Sequence, residues 1–159
     1  MRVLEAWGIS RMGSKISRRF DDLFLKMRLK KTKSGTATFF WTAVMDPRQY
    51  YDFRIPSSDE KTRRNLDHIP PEEIASSVKY ILSQQIGLSK DDLERETSRI
   101  FGFARCTEAM QKCIRAGIEA AVKKEWAIID GNRICSPHNG SPAESKASSL
   151  SAFGSIIFE

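Results

Sequence analysis

The sequence predicts a mainly helical protein with short β-hairpins, and three observations support that fold class. Apolar residues recur at helical spacing in several separate segments. Two pairs of short apolar runs are each joined by a glycine turn, at Ser34-Gly35 and at Asp130-Gly131, which is typical of a β-hairpin. The length of 159 residues is enough for one ordinary domain or two very small ones, and the hydrophobic content of 40% is enough for a packed core.

The clearest helical pattern lies in the C-terminal half of the chain. The PPEE segment before Ile74 favours a helix start, because proline fits the first turn and acidic side chains interact well with the helix dipole. We expect this helix to end at Gly87 and a second one to start with a capping box at Ser89 and to stop at Gly102. A third helix is predicted over about residues 107–124.

The segment WAIIDGNRIC then predicts a two-stranded hairpin. Three helices followed by such a wing make up the winged variant of the helix-turn-helix, which we expect for residues 70–136.

The N-terminal segment repeats part of this plan. When the sequence is aligned with itself at a shift of 94 residues, Gly8 aligns with Gly102. The apolar stripe that follows Gly8 then aligns with the apolar stripe of the third helix. Its members are Ile16, Phe20, Leu23, Phe24 and Met27. The chain is therefore predicted to hold tandem winged-helix units, of which the first is incomplete because only six residues, Arg2 to Trp7, precede its turn. An incomplete unit would leave Trp7, Phe20 and Phe24 poorly covered.

These patterns divide the chain into four parts: an incomplete winged-helix-like unit (1–45), a linker (46–69), a winged-helix domain (70–136) and a flexible Ser-rich tail (137–159). The incomplete first unit suggests the tail, or a truncated copy, of a longer protein. Within the linker, the aromatic QYYDF stretch is expected to pack on a neighbour, and the polar segment after Pro56 to form a surface loop.

The net charge of +6 is concentrated near the N-terminus. Residues 1–33 contain ten basic and three acidic residues, whereas the remainder contains 16 basic and 17 acidic ones. A localised positive field favours polyanions, nucleic acid first, although a solvated helix face would give the same statistics. The residues we expect to contact nucleic acid are Lys15, Arg18 and Arg19 on the first helix, with Lys30, Lys31 and Lys33 on the wing.

The long helix of the second unit has a different outer face. Its expected members have mixed signs: Glu108, Lys112, Arg115, Glu119 and Lys123. Mixed signs suit solvent or a protein partner better than phosphate.

No catalytic or metal-binding motif stands out, so we expect neither an enzyme nor a cofactor. There is no phosphate-binding glycine loop, and no nucleophile motif surrounds His68 or His138. Cys106, Cys113, Cys135 and His138 could form a zinc site, but helical core positions explain the first two cysteines equally well. Three cysteines without framework spacing, and no membrane-length apolar run or signal peptide, favour a cytoplasmic protein.

Two stretches, IPPEEIASSVKYIL and GLSKDDLERETSRIFGFARC, followed by an amphipathic helix and a hairpin, resemble the bacterial domain of unknown function 3320. The preceding LEAWGISRMGSKI and FFW segments resemble the region upstream of that module, so the resemblance covers roughly residues 2–135. It departs from the family pattern at Cys106, where a small hydroxylated residue is expected. That module lies at the C-terminus of very large superfamily I helicase-like proteins, which also carry a restriction-endonuclease-like domain. The resemblance implies an accessory module and no catalytic residue.

Two hypotheses follow. In the first, the chain is a non-catalytic accessory module of a helicase or nuclease-type protein that contacts DNA weakly and without sequence preference. In the second, it is a protein-interaction module that docks on the helicase or nuclease portions of its parent, or a truncated remnant without activity of its own. Incompletely covered aromatic residues favour the second hypothesis, and the basic N-terminal segment favours the first.

Overall fold

A computed structural model describes residue 8 and residues 10–57 and 62–137 of the protein. Its elements are α1 (Ser14–Lys26), β1 (Lys30–Ser34), β2 (Ala37–Trp41), α2 (Pro71–Ser83), β3 (Leu88–Ser89), α3 (Lys90–Ile100), α4 (Glu108–Lys123), β4 (Ile128–Asp130) and β5 (Arg133–Cys135). Two short 3-10 turns, Pro47–Gln49 and Leu66–His68, lie between β2 and α2. The fold class predicted from the sequence, mainly helical with short hairpins, is confirmed at this level.

The strands form two small antiparallel sheets. β1 and β2 pair with each other, with Ser34 opposite Ala37 at the turn. The second sheet has the order β3-β5-β4, so that the two-residue strand β3 joins the hairpin of β4 and β5 through Leu88 opposite Ile134. The sequence did not predict β3, because two residues are too few to show an alternating pattern.

The core lies where α2 crosses α4. Ile74, Val78 and Leu82 of α2 are completely buried, as is Ile114 of α4. The helices can approach closely because of Gly117 on α4: a Cβ atom placed there would lie 2.2 Å from Cγ2 of Ile74. The apolar stripes read from the sequence therefore face one another across the α2–α4 contact.

Ser89 is the N-cap of α3 as predicted, but the Asp92 carboxylate accepts from the Ser89 hydroxyl and not from the Ser89 backbone amide, so the capping box is incomplete. The Ser89 hydroxyl accepts a hydrogen bond from the Asp92 backbone amide at 3.1 Å and donates one to the Asp92 carboxylate at 2.6 Å. This hydroxyl holds the pKa of the Asp92 carboxyl below its ordinary value. The predicted end of the preceding helix at Gly87 was wrong, since α2 ends at Ser83. The intervening residues turn the chain into β3, and Gly87 then passes so close to Cys135 that a Cβ atom would lie 2.6 Å from its Sγ.

The segment between β2 and α2 packs on the second half of the chain. The Tyr50 carbonyl accepts hydrogen bonds from Lys124 Nζ at 2.8 Å and from the Ser76 hydroxyl at 3.3 Å. Within the polar stretch expected as a surface loop, Ser57 and Thr62 are exposed, but Leu66 is only 3% exposed and belongs to the core. An apolar side chain within a polar stretch can fill the core when the chain curves back on itself, which local composition does not show.

Candidate nucleic-acid interface

Helix α1 presents its basic residues to solvent. Its N-cap residue is Gly13, whose backbone is extended (φ −83°, ψ 162°). Glycine has no side chain that could cap the helix. At about 100° per residue, Lys15, Arg18 and Arg19 lie away from the stripe that holds Phe20, and all three are exposed. This is the placement expected from the helical wheel.

The hairpin divides the three lysines of the expected wing between its two faces. Lys31 lies opposite Phe40, and Lys30 lies opposite Trp41. Because side chains alternate along a strand, Lys31 and Lys33 share the face of Phe40, whereas Lys30 is on the face of Trp41. All three lysines are exposed, but only Lys31 and Lys33 can act together on one side of the hairpin.

Aromatic contacts fix the hairpin against α1. The rings of Phe24 and Phe40 stack with centroids 4.3 Å apart. Lys31 Nζ lies 5.3 Å from the centroid of the Phe40 ring, a distance suited to a cation–π interaction. On the other face, the buried Trp41 donates from Nε1 to the Thr32 hydroxyl at 3.0 Å. The basic face of the hairpin is therefore held in a defined position relative to α1.

The cations of residues 10–45 form no ion pair with any carboxylate that the structure describes. Within residues 10–45, all of them described, no salt bridge forms, although nine basic residues and only two acidic ones, Asp21 and Asp22, are present. The ion pairs found among the described residues all lie between residues 54 and 115, a segment in which 11 basic residues face 10 acidic ones. The N-terminal charge is therefore available to a polyanion.

Two further basic residues belong to the same surface and were not singled out from the sequence. Lys26 ends α1, and Arg28 follows it in a left-handed conformation (φ 48°); both are exposed. Arg28 places a guanidinium at the junction between helix and hairpin. The sequence carries no signal for this, because left-handed backbone is usually inferred from glycine or asparagine.

The outer face of α4 has the mixed character expected for it. Each of its five charged residues, Glu108, Lys112, Arg115, Glu119 and Lys123, is exposed. The Arg115 Nε atom donates to Glu94 Oε1 at 2.8 Å, and Glu94 itself is only 1% exposed. One of the cations on this face is thus already occupied by a buried carboxylate.

The zinc site considered from the sequence would need the three cysteines and His138. Cys106, Cys113 and Cys135 are half-buried free thiols, His68 is exposed, and His138 lies outside the described residues. Among the residues that the structure describes, no three His, Cys, Asp or Glu side chains are grouped so as to hold a metal ion.

A cleft of about 580 Å³ between the first hairpin and α4 includes Cys113 in its lining. Burial, together with the charge of Asp67, raises the pKa of the Cys113 thiol, which disfavours the nucleophilic thiolate.

Comparisons with known proteins provide no relative: no protein-family model, curated protein or solved structure matches the chain. None of the helices in the described part of the chain has the length and apolar character needed to cross a membrane.

Proposed function

We propose that the protein is a non-catalytic accessory module that contacts nucleic acid weakly and without sequence preference. The contact is made through α1, β1 and β2, which together we call the basic helix–hairpin (residues 14–41). The observation that carries the proposal is the set of exposed cations on this unit that form no ion pair with any described residue. Lys15, Arg18 and Arg19 occupy the solvent side of α1, and Lys31 and Lys33 extend the surface along the hairpin.

The topology of the second half of the chain supports a winged-helix fold for residues 70–136. The order is helix, short strand, helix, helix and hairpin, and the first strand pairs with the last one to give β3-β5-β4. We therefore infer that α3 and α4 form a helix-turn-helix and that the β4–β5 hairpin is its wing. Winged helices bind both nucleic acids and proteins, so the proposal depends on the charge and not on the fold.

The basic helix–hairpin is the unit to which we assign the contact, because the other candidate surface is electrically mixed. The outer face of α4 would bring Glu108 and Glu119 towards any phosphate bound by Lys112. Like-charge repulsion of that kind costs affinity and suppresses binding of the wrong partner. Helix α1 has a solvent face in which Asp22 is outnumbered by the surrounding cations.

A titration of fluorescently labelled duplex DNA with the full chain tests the proposal, at low and at moderate salt. We expect an affinity of roughly micromolar or weaker that falls steeply as salt rises, because few phosphates are contacted. The double variant Arg18→Ala/Lys31→Ala should bind more weakly and lower the slope of log affinity against log salt by about two.

The matched control is Lys112→Ala/Lys123→Ala, which removes the same charge from the outer face of α4. It should bind like the unaltered chain. An absence of binding at low salt would refute the proposal, and so would an equal loss in both double variants.

A further inference from the structure

The two helix–hairpin segments of the chain have left-handed backbone at matching points. One such residue precedes each long helix, one follows it, and one lies in each hairpin turn. The pairs are Gly8 and Gly102 (φ 69° and 81°), Arg28 and Glu125 (48° and 57°), and Gly35 and Gly131 (56° and 55°). These are all the positive-φ residues in the described part of the chain.

The starts of the two helices also match. Gly13 precedes α1 with φ −83° and ψ 162°, and Thr107 precedes α4 with φ −83° and ψ 164°. The two helices therefore begin with the same backbone conformation, 94 residues apart, although only Thr107 caps its helix with a side chain. This shift places Leu23 on Gly117 and Met27 on Ala121.

Equivalent positions of the two helices differ in burial. On α4, Gly117 is buried and Ala121 is completely buried, since α2 packs across them. On α1, Leu23 is 53% exposed and Met27 is 58% exposed, and no residue of the helix is buried. Large apolar side chains of α1 are thus exposed at positions equivalent to those that α2 covers on α4.

One side of the apolar face of α1 is already covered. Phe40 stacks on Phe24, and Phe24 in turn lies against Phe20, with ring centroids 6.1 Å apart. The part of this apolar face that remains exposed is the side that holds Leu23 and Met27. On a helical wheel, Arg19 and Lys26 border Leu23 there, so we define the Leu23–Met27 strip as these four residues.

We propose that the Leu23–Met27 strip binds an acidic amphipathic helix of a partner protein, in the place that α2 occupies on α4. Charge complementarity selects the acidic character, because Arg19 and Lys26 flank the apolar residues and make no ion pair with any described residue. A peptide with the α2 sequence has the chemistry required, because its stripe is apolar and its first turn contains Glu72 and Glu73. In the folded chain Glu73 is bound by Arg54 and Arg64, but in a separate peptide it is available to Arg19 and Lys26. Helix-in-groove binding through such a stripe is a common mode of recognition.

The size of Leu23 also specifies what the partner presents. In the second unit Ile74 fits against Gly117, where there is no side chain. In the first unit the large residue is Leu23, so the bound helix must carry a small residue at the point of closest approach. A helix with the α2 sequence should therefore bind better when the residue corresponding to Ile74 is alanine.

Anisotropy of labelled peptides, titrated with the full chain, tests this proposal. The probes are hydrocarbon-stapled peptides of residues 71–83, one unchanged and one with Ile74→Ala, because an unstapled helix of this length is marginal in water. We expect saturable binding of the Ile74→Ala peptide, and weaker binding of the unchanged one. The protein variant Leu23→Ser/Met27→Ser should weaken the binding at least about tenfold.

Leu25→Ser is the matched control, since Leu25 is 69% exposed and lies on the opposite side of α1. This variant should bind the peptide normally, as should Arg18→Ala/Lys31→Ala, which separates this surface from the nucleic-acid contact. The proposal is overturned if neither peptide binds at millimolar protein, or if Leu25→Ser weakens binding equally. It is also overturned if the chain self-associates and Leu23→Ser/Met27→Ser releases monomers, because the occupant would then be a second copy.

Discussion

Arg64 donates a hydrogen bond to each carboxylate oxygen of Glu73, from Nη1 to Oε2 at 3.0 Å and from Nη2 to Oε1 at 2.6 Å. Arg54 adds its backbone amide, 3.0 Å from Oε1, and its Nη2 atom, 2.9 Å from Oε2. Glu73 is completely buried, whereas Arg64 is 20% exposed at its side chain. This three-residue cluster ties the segment before α2 to the first turn of that helix.

Removing the charge of Glu73 should destabilise the protein. In Glu73→Gln the two arginines lose their counter-charge, and breaking a buried pair in this way costs about 3 kcal/mol of unfolding free energy. Urea denaturation of the variant measures it. The control is Glu96→Gln, which breaks the exposed Arg99–Glu96 pair and should cost less than about 1 kcal/mol. Equal losses in the two variants would contradict the importance of burial.

The same cluster predicts how stability depends on pH. Burial alone raises the pKa of Glu73, but hydrogen bonds from Arg64 and Arg54 outweigh it and hold the pKa at about 2, below the ordinary value of 4.5. A carboxyl with a lowered folded-state pKa contributes stability above pH 4.5, and that stability is lost as the pH falls towards 2. The loss should be on the order of 3 kcal/mol. Denaturation curves measured from about pH 6 down to about pH 2 should show this loss of stability in the unaltered chain and not in Glu73→Gln.

Gly117→Ala should destabilise the α2–α4 contact. Alanine is the better helix former by about 1 kcal/mol, but its Cβ would lie 2.2 Å from Cγ2 and 2.5 Å from Cβ of Ile74. Overpacking of this kind costs about 1–3 kcal/mol, so a net loss is expected. Thermal unfolding of Gly117→Ala and of Gly117→Ala/Ile74→Ala provides the measurement. The double variant should be more stable than the sum of its single changes predicts, and strict additivity would argue against a direct clash.

The two halves of the chain should differ in local stability. Helix α1 buries none of its residues, whereas α2 contributes Ile74, Val78 and Leu82 to the core with no exposure at all. We expect the amides of α1 to exchange with solvent faster than those of residues 90–123, and DNA to protect the α1 amides selectively. Hydrogen exchange with and without duplex DNA tests this. Protection in the free protein that is as high in α1 as in α4 would contradict an incomplete first unit.

Much of the local structure was predictable because neighbouring residues determine it. The stripe of Ile74 and Val78, the hydroxyl of Ser89 and the Asp130-Gly131 turn each specify a helix, a cap or a hairpin through contacts within a few residues. The exposed placement of Arg18 followed in the same way from helical periodicity. The sequence did not predict the strand β3, since this strand depends on pairing with β5 far along the chain.

The sequence by itself determined the fold class, the apolar and basic faces of α1, and the concentration of positive charge near the N-terminus. Only the tertiary structure decided that Lys31 pairs with Phe40, that Glu73 binds two arginines, and that Leu23 is exposed where Gly117 is covered. The physical reason is the distance along the chain over which each kind of interaction acts. Periodicity and turn chemistry act between residues a few positions apart, whereas strand register, burial of a carboxylate and the covering of a helix face depend on segments that meet only in the folded chain.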